Sequence, residues 1–248
     1  MENESKSSSN TNKIFIILLV VAAFVIGMLW QKNQALEKGQ GSGSGIITPP
    51  GPVSGTQPDP ITLAKNAKPV SDTEHIRGDK NAPITWIEYS DLECPYCKQI
   101  HPDLLKLVDA YKGKVRWVFR HFPLESIHAN AKPLAVGSEC ANELGGETAF
   151  WKFIDAVYAD SFTAGDTITT TMVNVAQTIG VNKAQFQSCL STTKYAQKIS
   201  DEIADGTKAG IQGTPGNIIM NAKGDVEVIP GAYPYEQLKA VVERLLSK

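Results

Sequence analysis

Ile84-Thr85-Trp86-Ile87-Glu88-Tyr89-Ser90-Asp91-Leu92-Glu93-Cys94-Pro95-Tyr96-Cys97 is the stretch whose reading decides the fold. Ile84 to Tyr89 is β-branched and aromatic apart from Glu88, follows Pro83, and stops at Ser90-Asp91, which is the composition and punctuation of a strand. Beyond Cys97, Ile100, Leu104, Leu107, Val108 and Tyr111 recur at helical spacing. Cys94 therefore falls at a strand-to-helix junction. A helix start leaves backbone N–H groups unpaired and carries the positive end of the dipole, so an anion is favoured there. A thiol in that place shifts toward thiolate and becomes a good leaving group. Cys97, one turn on, points inward and can close a disulfide with Cys94. Pro95 suits a first helical turn, where no N–H is needed.

Working outward, Val115 to Phe119 reads as a second strand, ended by Pro123. Residues 126–209 read as helices with short breaks. Phe150, Ile154 and Val157, then Met172, Val173, Ala176 and Ile179, hold the helical period, and Gly145-Gly146 and Gly180 interrupt it. Ile218-Ile219-Met220 and Val226 to Ile229 form a hairpin candidate. Leu238, Val241, Val242 and Leu245 face inward from a last helix, with Glu236 and Arg244 placed to suit its dipole. Strands split by helices in this order give an α/β mixed sheet with helices on both faces. The 126–209 block is longer than a crossover needs and reads as an inserted helical subdomain.

Upstream, residues 1–13 are a polar tip and 14–30 an uncharged apolar run, which as a helix spans roughly 25 Å, near the lower limit for a bilayer. Lys13 and Lys32 flank the run and can snorkel, and Trp30 stands where an interfacial aromatic would. A cleaved signal peptide is the rival; against it, the run is long and no small-x-small site or lipoprotein cysteine follows. Residues 14–30 are thus expected to be a transmembrane anchor. Lys6 and Lys13 before it balance Lys32 and Lys38 after it, so the positive-inside rule leaves orientation open. Residues 31–68, rich in Gly, Ser and Pro, read as a tether, and 69–248 as the folded domain.

The net charge of −2 with no long basic run gives nucleic-acid binding no support. Zinc is a poor reading of Cys94 and Cys97, because Cys140 and Cys189 stand alone and no matching His pair follows. No metal and no cofactor is expected. His75, His101, His121 and His128 are scattered and read as surface or packing residues. Cys140 and Cys189 both fall in the helical block, each on a segment expected to face inward. In an oxidising compartment they would pair as a structural disulfide; the alternative is two buried free thiols acting as small apolar groups.

The chain resembles the DsbA-like thioredoxin-fold family of disulfide oxidoreductases. The resemblance rests on Glu88 to Cys97, then Phe122-Pro123-Leu124, Glu139-Cys140-Ala141, Phe150-Trp151, Gly213-Thr214-Pro215 and Gly231-Ala232, in the family's order. It covers about residues 70–246 and implies a thioredoxin-like fold. It further implies that Pro215 is a cis-proline facing the reactive pair, with Thr214 before it, and that Glu88 is a buried acid handling protons near Cys97. An ordinary edge-strand carboxylate is the other reading of Glu88. Pro102 would be a helix-kinking proline. Tyr96 stands where family members often carry His, which leaves oxidising strength open. The activity implied is thiol–disulfide exchange on thiol-containing polypeptides, with a membrane redox partner for reoxidation. Together with the anchor, it places the catalytic domain outside the cytoplasm on a single-pass membrane protein. A reductase or isomerase on the same fold, or a non-catalytic binding or chaperone domain, are the rivals.

Overall fold

The structure is a computed structural model and describes residues 59–159 and 167–248. In chain order the elements are α1 (Pro60–Ala64), β1 (His75–Gly78), β2 (Ile84–Ser90), α2 (Pro95–Ala110), β3 (Val115–His121), α3 (Ala131–Tyr158), α4 (Ile168–Thr178), α5 (Lys183–Leu190), α6 (Ala196–Lys208), β4 (Gly216–Asn221), β5 (Val226–Pro230) and α7 (Tyr235–Ser247). The five strands make one sheet in the order β1-β3-β2-β4-β5. Only β2 and β3 run parallel, joined through α2 as a parallel pair must be; the other pairings are antiparallel.

β2 is the middle strand, and all seven of its residues are buried. Its side chains alternate between two cores. Ile84 and Trp86 join Leu104 of α2, Trp117 and Phe119 of β3, and Leu238 of α7. Ile87 and Tyr89 turn the other way, toward Ala64 of α1 and Ala209 and Ile211 after α6. By this period of two, Glu88 and Ser90 share the face of Ile84 and Trp86, the side on which α2 packs.

α3 consists of two helical runs joined at Gly146, whose φ of 68° is left-handed and open to glycine at little cost. Cys140 of α3 and Cys189 of α5 are joined by a disulfide, with Cα atoms 5.9 Å apart. The helical block is held to the sheet by buried charge. Glu139 Oε1 lies 2.9 Å from His75 Nε2, 3.0 Å from His121 Nε2 and 2.5 Å from Lys198 Nζ. Burial raises the Glu139 pKa, but these partners override it and hold the carboxyl far below its usual range.

Two elements differ from the sequence reading. α1 stands inside the 31–68 stretch taken as tether; it is too short to show a period, yet Ala64 is buried in the second core. β1 went unread because four residues, His-Ile-Arg-Gly, cannot display an alternation; its pairing with β3 is what makes it a strand. The expected anchor at 14–30 lies outside the described residues, among which no helix is long and apolar enough to cross a membrane.

The Cys140–Cys189 bond closes a loop of sequence separation 49. Replacing both cysteines by Ala is expected to lower the unfolding free energy by about 2–4 kcal/mol in a denaturant titration. A loss within about 0.5 kcal/mol of zero would contradict that role.

Candidate active site

Cys94 is the N-cap of α2, with extended backbone and Pro95 directly after it. Its own N–H donates to Asp91 O at 3.0 Å, which locks the turn between β2 and the helix. The Sγ is 3.4 Å from the carbonyl oxygen of Thr214, to which the thiol donates. The Thr214–Pro215 peptide bond is cis. This loop is pinned by the Gly231 N–H donating to Pro215 O at 2.8 Å, and by Asn217 Nδ2 donating to Ile229 O and Gly231 O. Three separate pieces of sequence, Cys94-Pro95-Tyr96-Cys97, Gly213-Thr214-Pro215 and Gly231-Ala232, thus meet at one end of the strands β2, β4 and β5.

The two sulfurs differ in environment. Cys94 is 4% exposed and Cys97 fully enclosed, while Tyr96 between them stands out at 60%. The Cys94 thiol is pushed down to about 5: a hydrogen bond from the Cys97 thiol outweighs burial, helped by the Thr214 side chain and the N–H groups of Cys97 and Tyr96. The Thr214 hydroxyl is buried and has no partner among the described residues while Cys94 is a thiol. A Cys94 thiolate gives it an acceptor. Cys97 moves the other way. Burial, the shared bond to Cys94 and the nearby Glu88 charge all push its thiol well above the ordinary value, and only the Asp91 N–H, 3.5 Å from Sγ, opposes them.

Below the pair lies Glu88, 1% exposed. It sits on the central strand, not an edge. The Ser90 hydroxyl donates to Oε1 at 2.7 Å and Trp117 Nε1 to Oε2 at 3.0 Å. Burial nevertheless lifts its carboxyl to about 7, because two neutral donors do not offset the loss of water. Pro102 lies within α2, one turn past Lys98.

Three contributors were given no role at the site by the sequence. Asp91 is 1% exposed; its carboxylate accepts from the N–H groups of Glu93 and Leu124 and from His128 Nδ1, each at 2.8 Å. It ties the Phe122-Pro123-Leu124 loop to the start of α2. His128, half-buried, thereby gains a place at the site beyond surface packing. Burial works against its charge, but the Asp91 carboxylate raises its pKa. The other three histidines are packing residues, His75 and His121 against Phe150 and His101 against Trp117, and each also has a carboxylate partner: His75 and His121 bind Glu139, and His101 Nε2 is 2.9 Å from Asp155. These partners are distant in sequence, so short-range spacing could not reveal them. The third is Tyr158, whose hydroxyl is 2.9 Å from Ser90 Oγ and 3.2 Å from Asp91 O.

The thioredoxin family profile matches residues 70–244. The chain belongs to the thioredoxin family. Among solved structures, Pseudomonas aeruginosa DsbA2 is 29% identical, with 72% of this chain covering 97% of that one at a TM-score of 0.59. Wolbachia pipientis alpha-DsbA1, at 24% identity and a TM-score of 0.62, covers 74% of this chain and 95% of its own, and shares the fold. A different kind of relative is Na(+)/H(+) antiporter NhaA 3 of Salinispora tropica, 31% identical over 173 residues. That alignment takes in 69% of this chain and 24% of the antiporter, so the chain spans about a quarter of the curated relatives it matches. This family, these neighbours and two thiols of opposite character at a helix start support a thiol–disulfide oxidoreductase.

Two measurements check the electrostatics. In the dithiol form, thiolate absorbance and alkylation of Cys94 should both rise through about pH 5; Thr214→Val should move that inflection upward, and an unmoved inflection would remove the hydroxyl from the account. Glu88 has the opposite sign. Its folded pKa of about 7 exceeds the unfolded 4.5, so stability is lost as pH rises between them. In the dithiol form, Glu88→Gln should therefore gain roughly 3 kcal/mol relative to wild type between pH 4.5 and pH 8, read from denaturant midpoints.

Proposed function

We propose that this chain forms disulfides in secreted or envelope polypeptides, outside the cytoplasm. The observation that carries the reading is the asymmetry of the pair: Cys94 falls to about 5 while Cys97 rises. Stabilising the Cys94 thiolate stabilises the reduced form, and a couple whose reduced form is stabilised is an oxidant. Reactive cysteines at helix starts span about 3.5–7.5, and the lower a thiol lies in that range the better it leaves.

In the oxidising direction a substrate thiolate attacks Cys94 Sγ of the Cys94–Cys97 disulfide. That bond breaks and Cys97 departs with the electron pair. The Glu88 charge acts on the Cys97 thiol, and in this reading Glu88 supplies the proton that neutralises it. A second substrate thiolate then attacks the substrate sulfur of the mixed disulfide and releases Cys94 as thiolate. The substrate dithiol has lost two electrons and the protein pair has gained them. Thr214, Pro215 and the groove of about 590 Å³ beside them, with Gly213, Asn217, Pro230 and Gly231 in its wall, form the surface on which an extended substrate would lie.

The location is supported by the Cys140–Cys189 bond, since such bonds persist in oxidising compartments. It is supported also by the apolar run 14–30, which as an anchor would keep the domain at the membrane. The curated relatives that align with 69% of this chain are named Na(+)/H(+) antiporters. A membrane redox partner would return the pair to its disulfide, and tethering would raise its effective concentration.

The deciding experiment equilibrates the full chain with glutathione buffers and, separately, mixes its disulfide form with a reduced test peptide. A Cys94–Cys97 potential above about −200 mV with rapid peptide oxidation is expected. A potential near about −270 mV, where reductases lie, would overturn the oxidase assignment in favour of reduction on the same fold.

A further inference from the structure

We infer that Glu88 exchanges its proton with the solvent through the hydroxyls of Ser90 and Tyr158, which form a two-step relay ending in the groove beside Cys94. The inference deepens the reading of this site as a dithiol–disulfide exchanger and rests on it. A carboxyl that protonates Cys97 once per turnover has to be reprotonated, yet Glu88 is 1% exposed, Ser90 1% and Cys97 fully enclosed. Direct access of water is closed.

One hydrogen-bonded chain leaves the carboxyl toward the groove. Glu88 Oε1 is 2.7 Å from Ser90 Oγ, and Ser90 Oγ is 2.9 Å from Tyr158 Oη. Tyr158, 5% exposed, is the member of the chain that borders the groove of about 310 Å³ formed with Leu92, Cys94, Pro95 and Lys98. The other bond on the carboxyl, from Trp117 Nε1, cannot pass a proton onward, because indole is a donor only.

The chain also has the two polarities a relay needs. With Glu88 ionised, Tyr158 donates to Ser90 and Ser90 to Glu88. With Glu88 protonated, the order reverses: Glu88 donates to Ser90, Ser90 to Tyr158, and Tyr158 turns to Asp91 O at 3.2 Å. That carbonyl is the alternative acceptor without which the reversed chain would leave a buried hydroxyl unpaired. Asp91 also places its N–H on Cys97 Sγ, so one backbone unit touches the sulfur being protonated and the end of the relay.

The proton balance is simple. When a substrate thiolate opens the disulfide, Cys97 leaves as thiolate and takes the proton of Glu88. The carboxylate takes one from Ser90, Ser90 from Tyr158, and Tyr158 from groove water. In the reverse direction each transfer runs backward. The titratable groups facing this chain are Glu88 from β2, Asp91 from the following turn, Cys94, Cys97 and His101 from α2, and Tyr158 from α3. The His101 ring packs 4.8 Å from the Tyr158 ring but makes its hydrogen bond to Asp155. Ser90 and Tyr158 are positioning residues: neither touches substrate.

The test uses the full chain with Tyr158→Phe, which keeps the ring against His101, and Ser90→Ala as an independent break. Oxidation of a reduced peptide, and reduction of the protein disulfide by glutathione, are followed by rapid mixing from pH 5 to pH 9. Each variant should slow by at least about tenfold, within the roughly hundredfold or more that a positioned acid or base contributes. The pH profile should lose the limb near pH 7, the equilibrium potential should stay in place, and a small buffer acid such as imidazolium should restore the rate. Unchanged rate and pH profile in both variants would overturn the relay, as would a slowing that buffer does not rescue. Wild type that reduces but does not oxidise would sink the oxidase reading alone, since the same rate loss in the reducing direction still reads the relay.

Discussion

The N–H groups at the start of a helix converge on one place, and here a single sulfur occupies it. Cys94 is the N-cap of α2 and receives the N–H groups of Tyr96 and Cys97, while Cys97, already inside the helix, receives none of them and faces the interior. Everything nearby maintains that inequality. The cis Thr214–Pro215 loop lies over Cys94 and leaves it 4% exposed, and Asp91 fixes the turn from which the helix departs. A pair with equal surroundings would have no preferred point of attack and no preferred leaving group.

The same asymmetry extends downward to Glu88, and a comparison with Arg120 shows why that residue is reactive. Both are buried charges on central strands. Arg120 meets Glu74 and Asp205 at 2.9 and 2.8 Å, with Tyr89 Oη at 2.9 Å, so opposite charge outweighs burial and it stays ionised. Glu88 meets a hydroxyl and an indole N–H, both neutral. Several kcal/mol separate an ion paired with opposite charge from one given only dipoles. The fold therefore keeps Arg120 as structure and leaves Glu88 near the point of losing its proton.

The helical block connects to this chemistry through α3. Its first run supplies Glu139 and Cys140, which attach the block to the sheet and to α5; its second run ends at Tyr158, under the reactive pair. Gly146 sits between the two runs, so the segment that anchors the subdomain and the segment that completes the site can take different directions.

What the sequence determined by itself was local. The strand at Ile84, the helix after Cys94 and the cysteine at their junction are set by side-chain period and by the unpaired N–H groups of a helix start, neither of which needs distant residues. The spacing of Phe150, Ile154 and Val157 made a helix legible, as did the inner face of α7. Tertiary structure decided what depends on proximity across long separations. The strandedness of His75–Gly78 comes from β3, and the helix at Pro60–Ala64 from the core it covers. All four histidines gained carboxylate partners that no spacing announces, and Tyr158 came to lie 2.9 Å from Ser90 although 68 positions separate them. Whether a carboxyl is protonated, or a thiol is a thiolate, depends on how much water and opposite charge surround it. Only the packed fold specifies those surroundings.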